Sequence, residues 1–259
     1  MLRAAAARLR YRLIEQVVLP RFSNLSVNRR FWDRYARAWD ARNPYLDVEH
    51  EGAEREAYIA EHIAVLGDEW GTPSDVATVL EDFVYPSLQP EHTVVEIGVG
   101  GGRIATAVAP VVAKLYGFDI SREMLKRARE AVPGNVELVL LRSPDLPRDL
   151  AGRVDFAYAF DVFVHLDLHT QWRYLLQLHD VLKPGGRALV HTTNLRAPRG
   201  WDRFAQQRRY DVRGHYFVIP ELVDLLAERA GFAVVQRSEP TEDNFYYSRD
   251  YLALLERPA

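Results

Sequence analysis

Cysteine is absent from this chain of 259 residues. That excludes thiol nucleophiles, disulfides, thiolate metal sites and iron–sulfur clusters together. Lysine is scarce as well: Lys114, Lys126 and Lys183 stand against 30 Arg, a bias that reads as GC-rich coding rather than chemistry. No apolar run reaches the roughly 18 to 20 residues needed to cross a bilayer. An overall basic balance is also missing. The formal charge is −3, made of +6 over residues 1–30, −11 over 31–100 and +2 over 101–259. A nucleic-acid partner is therefore not expected of the main domain.

What is present is an ordinary globular composition, with 48% hydrophobic and 27% charged residues. The length suits one large α/β domain with an appended cap. Residues 1–90 read as that helical cap or extension. Leu2 to Leu19 is Arg-rich and amphipathic and lacks the uncharged apolar stretch of a secretory signal. A docking or capping helix is the simpler reading, with a helix lying on a membrane surface left open; the expected compartment is the cytoplasm. Phe31, Trp32, Tyr35 and Trp39 recur at helical spacing, a second helix is expected over Glu51 to Leu66, and a third over Ser74 to Val84 with Ser74 as its N-cap.

From residue 92 strands and helices alternate. Strands are expected at 93–97, 113–118, 136–141, 154–159, 187–192, 232–237 and 251–256, with helices at 103–111, 121–132, 169–182 and 220–230 and none between the last two strands. That order predicts an α/β, Rossmann-like, seven-stranded and mostly parallel sheet, ending in an antiparallel C-terminal edge, over residues 91–259.

The densest signal is Glu96-Ile97-Gly98-Val99-Gly100-Gly101-Gly102-Arg103. Glycines there let the chain turn sharply from strand to helix and let a ligand approach where a side chain would clash. A dinucleotide fingerprint would place Gly or Ala where Arg103 stands. Glu96, two residues before the first glycine, needs a partner if buried, which suggests a cationic or amine-bearing ligand. About twenty residues on, the next strand ends at Asp119, an acid able to accept both hydroxyls of a ribose.

With these pieces, and with Gly117-Phe118-Asp119-Ile120-Ser121, Glu123-Met124-Leu125, Asp155 and Leu182-Lys183-Pro184-Gly185-Gly186, the chain resembles the class I S-adenosylmethionine-dependent methyltransferases. The resemblance covers about residues 91–257. It implies S-adenosyl-L-methionine as cofactor, with Gly98 and Gly100 along its methionine part, Gly102 completing the loop, Glu96 on its amino end, Asp119 on the ribose and Ile120 on the adenine. Phe160 joins this set. Many relatives carry an acid after the third strand where Arg142-Ser143 stands here; Ser143 and Asp145, or backbone groups alone, are left for the adenine edge. Tyr35 and its aromatic neighbours look like the cap that closes over the cofactor in several relatives, with core packing as the alternative.

Methyl transfer demands alignment and exclusion of water more than elaborate chemistry. The place for the acceptor is the carboxyl end of the fourth strand, at Phe160-Asp161-Val162-Phe163-Val164-His165. His165 is the candidate base, and Asp161 either orients it or binds the acceptor. His165, Asp167 and His169 alternate as metal ligands can, but Asp167 reads more simply as a helix N-cap, so no metal is expected. The stretch 194–219 is long for a connection and mixes arginines with aromatics. Trp201, Arg203 and Tyr210 from it, with His191 and Tyr246, are candidate acceptor contacts. The leading function is O-methylation of a small molecule such as a sugar or secondary metabolite. N-methylation of a protein or RNA and a non-catalytic cofactor-binding scaffold are the alternatives, and a homodimer stays open.

Overall fold

The computed structural model describes residues 23–40, 52–209 and 215–259. The Leu2–Leu19 helix, Glu51 and Tyr210 lie outside them.

Seven strands form one sheet in the order β3-β2-β1-β4-β5-β7-β6. They are β1 (Thr93–Ile97), β2 (Lys114–Asp119), β3 (Val136–Leu140), β4 (Val154–Ala159), β5 (Leu182–Thr193), β6 (Ala233–Arg237) and β7 (Asp250–Glu256). The first five run parallel, and β7 is antiparallel to both neighbours. The antiparallel pair stands at the edge, with β7 inserted between β5 and β6, and a short helix at Phe245–Arg249 lies between the last two strands where none was expected. Parallel strands covered on both faces should read as continuous apolar runs, and β1 does: Val94, Val95, Glu96 and Ile97 are all buried. Glu96 is the exception in that run, and it marks the site.

Cap and turn chemistry sets the helices. Ahead of the sheet stand α1 (Asn24–Ala38), α2 (Gly52–His62) and α3 (Pro73–Val79). The N-cap of α3 is Thr72 rather than Ser74: Pro73 occupies the first helical position, and the Thr72 hydroxyl accepts from the Asp75 N–H at 3.2 Å. A π-helical turn, Leu80–Val84, continues α3. Its Leu80, Phe83 and Val84 share a core with Val94, Ile104 and Leu189, so the division at residue 90 is one of sequence and not of packing. In the sheet domain α4 (Arg103–Val108) follows the glycine loop and α5 (Arg122–Ala131) is capped by Ser121; α6 (Leu168–Val181) is capped by Asp167, whose carboxylate accepts from the Thr170 N–H. Then come α7 (Pro198–Gln206), α8 (Pro220–Arg229) and α9 (Phe245–Arg249).

The chain runs β1, β2, β3 to one side and then crosses back to β4, so its direction reverses between β1 and β4. At such a switch point a crevice opens beyond the carboxyl ends of the strands. Helix α1 roofs it. Asn24 and Asn28 donate to the His165 carbonyl, Arg29 donates to the Ile120 and Arg142 carbonyls, and Asp33 accepts from Ser121. No described helix is long and apolar enough to cross a membrane.

Candidate active site

The crevice is a cavity of about 850 Å³, within the several-hundred to 1,000 Å³ range of small-molecule sites. The glycine loop is one wall. Gly98, Gly100 and Gly102 have φ of +72°, +55° and +96°, a region that costs ordinary residues energy. The turn is pinned by Phe118, whose carbonyl accepts from the Gly98 and Val99 N–H groups at 2.7 and 2.9 Å. A Cβ on Gly98 would stand 2.3 Å from Val162, whereas one on Gly100 would meet nothing closer than 3.9 Å. Gly100 therefore bares backbone to open cavity, a cradle that a side chain would fill. Gly102 is the N-cap of α4 and not a cavity residue. It shapes the loop from behind.

Two carboxyls sit beside this loop. Glu96 is 3% exposed and accepts from the Tyr158 hydroxyl at 2.9 Å, its neighbour across the β1–β4 pairing. Burial pushes its carboxyl up to about 8, against the Tyr158 hydrogen bond, which lowers it. Asp119 receives the Gly100 and Ser121 N–H groups at 2.9 and 2.7 Å, and burial still raises it to about 6. Among the described residues, neither carboxyl has a cationic partner at hydrogen-bonding distance. A ligand bringing an ammonium and hydroxyl donors would relieve them, so these residues suit the cofactor that the sequence implies. Ile120 and Phe160 line the same cavity.

The roof is aromatic. Trp32 meets Trp70 edge-on at 5.6 Å and His165 at 5.2 Å, and Tyr35 lies 5.7 Å from Trp70. Glu69 fastens it by accepting from the Tyr35 hydroxyl, the Trp39 indole N–H and the Gly67 N–H at 2.7, 3.0 and 2.8 Å. Burial and Glu69 hold the Tyr35 phenol well above its ordinary value. Tyr35 thus both lines the cavity and packs in the cap, which joins the two roles weighed from the sequence.

After β4, His165 lines the cavity from a short 3₁₀ turn, Phe163–His165. Asp161 has φ +57°, alone among the described non-glycine residues, a conformation that persists only where surroundings enforce it. Those surroundings are explicit. The carboxylate pairs with Arg103 at 2.8 Å, the Asp161 N–H donates to His191 Nδ1 at 3.0 Å, and Tyr246 Oη lies 3.4 Å away. Asp161 is turned to Arg103 and Tyr246. Because His191 Nδ1 accepts, its proton sits on Nε2, 3.0 Å from Asp250.

Several expected contacts fall elsewhere. His191 and Tyr246 are fully buried and support Asp161 from below the cavity wall. Ser143 and Asp145 lie outside the cavity. Their side chains bond each other at 2.7 Å, and Asp145 is drawn outward to Arg173 at 2.8 Å. Trp201 is 55% exposed and packs on Phe204. Two residues further on, and so on the opposite side of the same helix, Arg203 does line the cavity. Arg103, Trp70, Glu69, His215 and Arg249 were not singled out as site residues from the sequence. Arg103 alone left a trace, as the side chain standing where a dinucleotide loop has glycine. Among the described residues, no group of three or more His, Asp or Glu is placed to hold a metal ion.

A sequence model described as a methyltransferase domain matches residues 68–237. An uncharacterized methyltransferase of Bacillus cytotoxicus is 25% identical over 164 residues, covering 60% of this chain and 75% of that protein. The magnesium protoporphyrin IX methyltransferase of Synechocystis, solved with bound SAH, superposes with a TM-score of 0.63 at 15% identity, covering 91% of this chain and 100% of that one. Geranyl diphosphate C-methyltransferase from Streptomyces coelicolor, solved with Mg²⁺, geranyl diphosphate and S-adenosyl-L-homocysteine, gives 0.62 at 16% identity, covering 90% and 98%. The chain thus belongs to the methyltransferase domain family and has the Rossmann-like fold of the class I S-adenosylmethionine-dependent enzymes.

Proposed function

We propose that this protein methylates an oxygen atom of a small-molecule acceptor, with S-adenosyl-L-methionine as methyl donor. One observation carries the reading: a candidate base, His165, and a glycine loop flanked by two buried carboxyls line one roofed cavity. When bound, the cofactor supplies an electrophilic methyl whose bond to sulfur breaks as the acceptor oxygen bonds to it, leaving a neutral thioether. Glu96 and Asp119 hold the donor's amino and ribose ends, and the Gly98–Gly100 backbone lets it lie close. The cap formed by Trp32, Tyr35 and Trp70 keeps water out. A ring nitrogen of His165 takes the hydroxyl proton of the acceptor as the new bond forms. Asp161, fixed by Arg103, shapes the wall where the acceptor lies.

The roof also bears on substrate size. Leu25, Asn28, Phe31, Trp32 and Tyr35 of α1 all face the cavity, which suits a small molecule better than a protein or RNA. The segment after β4 reads Phe160-Asp161-Val162-Phe163 and lacks the Pro-Pro motif of enzymes that methylate nucleobase amines.

The test is a His165→Ala variant. Its affinity for S-adenosyl-L-methionine should stay within about twofold, while kcat falls by about 10²–10⁴-fold. Full turnover in a variant that still binds the cofactor would refute His165 as base.

A further inference from the structure

Across β4 from the glycine loop, on the β5–β7 side of the sheet, the same cavity has a wall of opposite character. Arg203 of α7, His215 of the segment following α7, Arg249 at the end of α9 and His165 after β4 all face it. These side chains come from four separate stretches of chain, and His215 and Arg249 are held in place by their neighbours. The His215 N–H donates to Gln207 Oε1 at 3.0 Å, and Gln207 Nε2 donates back to the His215 carbonyl at 3.2 Å. The next residues are stitched down: the Tyr216 N–H donates to the Val164 carbonyl at 2.7 Å, and Thr193 Oγ1 donates to the Tyr216 carbonyl at 2.7 Å. Arg249 lies over the Phe245 ring at 4.4 Å and is held by Asp250 through Nε and Nη2.

The wall is polar where cores are usually apolar. His215 is 5% exposed and Arg249 9%, burial that such groups tolerate only with partners. His215 Nδ1 is buried and has no hydrogen-bond partner among the described residues, a cost that a ligand supplying one would relieve. The imidazole rings of His165 and His215 lie 5.3 Å apart. The local field is positive: after burial, Arg203, His165 and Arg249 each drive His215 toward its neutral form, and Asp250 only partly opposes them. Among the described residues, Glu242 is engaged with Arg199, Asp243 with Thr241, Asp250 with Arg249 and Asp161 with Arg103.

We infer that the methyl acceptor is an anion, its carboxylate or phosphate group received in this corner by Arg203, Arg249 and His215. Guanidinium groups are suited to such oxyanions because their planar donors match two oxygens at once. A neutral imidazole adds one N–H and no competing charge. The inference specifies the substrate class of the methyl transfer proposed above and rests on that reading for the word acceptor; the corner itself can be tested without turnover.

The experiment titrates the protein, free and saturated with S-adenosyl-L-homocysteine, with benzoate, phenyl phosphate and the neutral benzamide by calorimetry. The expected result is that benzoate or phenyl phosphate binds at least about tenfold more tightly than benzamide, with the tighter of the two naming the oxyanion. Arg203→Gln, at an exposed position that does not threaten folding, should cost about tenfold for that anion and leave benzamide unchanged; His215→Phe should act in the same direction. Benzamide binding as tightly as both anions, or anion affinity unmoved in both variants, overturns the inference. Anion binding that persists in a protein unable to bind S-adenosyl-L-homocysteine would keep the corner and strike instead at the methyltransferase reading.

Discussion

The two walls of the cavity differ in sign. Beyond β1 and β2, Glu96 and Asp119 are buried carboxyls driven toward their neutral forms. Beyond β5 and β7, His215 is a buried imidazole driven the same way by burial and by neighbouring cations. In each case low-dielectric surroundings disfavour a charge that a ligand of opposite character would restore. On the proposed reading, the contrast prepares one cavity for two ligands at once, a cationic donor on one side and an anionic acceptor on the other. Between them Arg103 and Asp161 form a closed pair at 2.8 Å, which keeps the boundary near neutral.

The contrast can be broken first at Glu96. The folded protein holds this carboxyl near pKa 8 against an ordinary 4.5, so between those values the folded state keeps a proton that the unfolded chain has released. Glu96 therefore leaves stability intact below about pH 4.5 and takes it away as the pH rises toward 8. Ligand-free protein should lose on the order of a few kcal/mol over that range, and Glu96→Gln, which keeps the Tyr158 hydrogen bond, should flatten the slope. Denaturation midpoints across pH would show it. A smaller effect is expected at Asp119: Asp119→Ala should weaken S-adenosyl-L-methionine by about 10–100-fold while leaving benzoate binding alone. An equal loss of both ligands would mean that the two walls do not act separately. The smallest effect belongs to the roof. Tyr35→Phe removes one hydrogen bond to Glu69 and should cost about 1 kcal/mol of stability, with affinity changed on the donor side only.

The sequence disclosed the two walls unequally. The donor wall is built from contiguous chain. A strand, three glycines at alternate positions and an acid ending the next strand are short-range patterns, and the parallel β1–β2 pairing carries them into space with their spacing intact. Asp167 was legible as an N-cap for the same reason. The cationic wall is assembled by the insertion of β7 between β5 and β6, which brings residues 34 apart, His215 and Arg249, to one corner; no local pattern records that. His191 shows another limit, because a strand residue's type does not say which face it takes, and here it points into the support beneath Asp161. Ser143 and Asp145 occupy the sequence place of an adenine contact, yet Arg173, from α6, draws the carboxylate to the surface.

The most direct test is a calorimetric titration of S-adenosyl-L-methionine at pH 7 in buffers of different ionisation enthalpy. If the carboxyl wall is the donor half, binding releases about one proton from Glu96 as the cofactor's ammonium takes its place beside it. The release should vanish in Glu96→Gln, which would bind more weakly. Binding with the same proton count in both proteins, or no binding at all, would contradict the account.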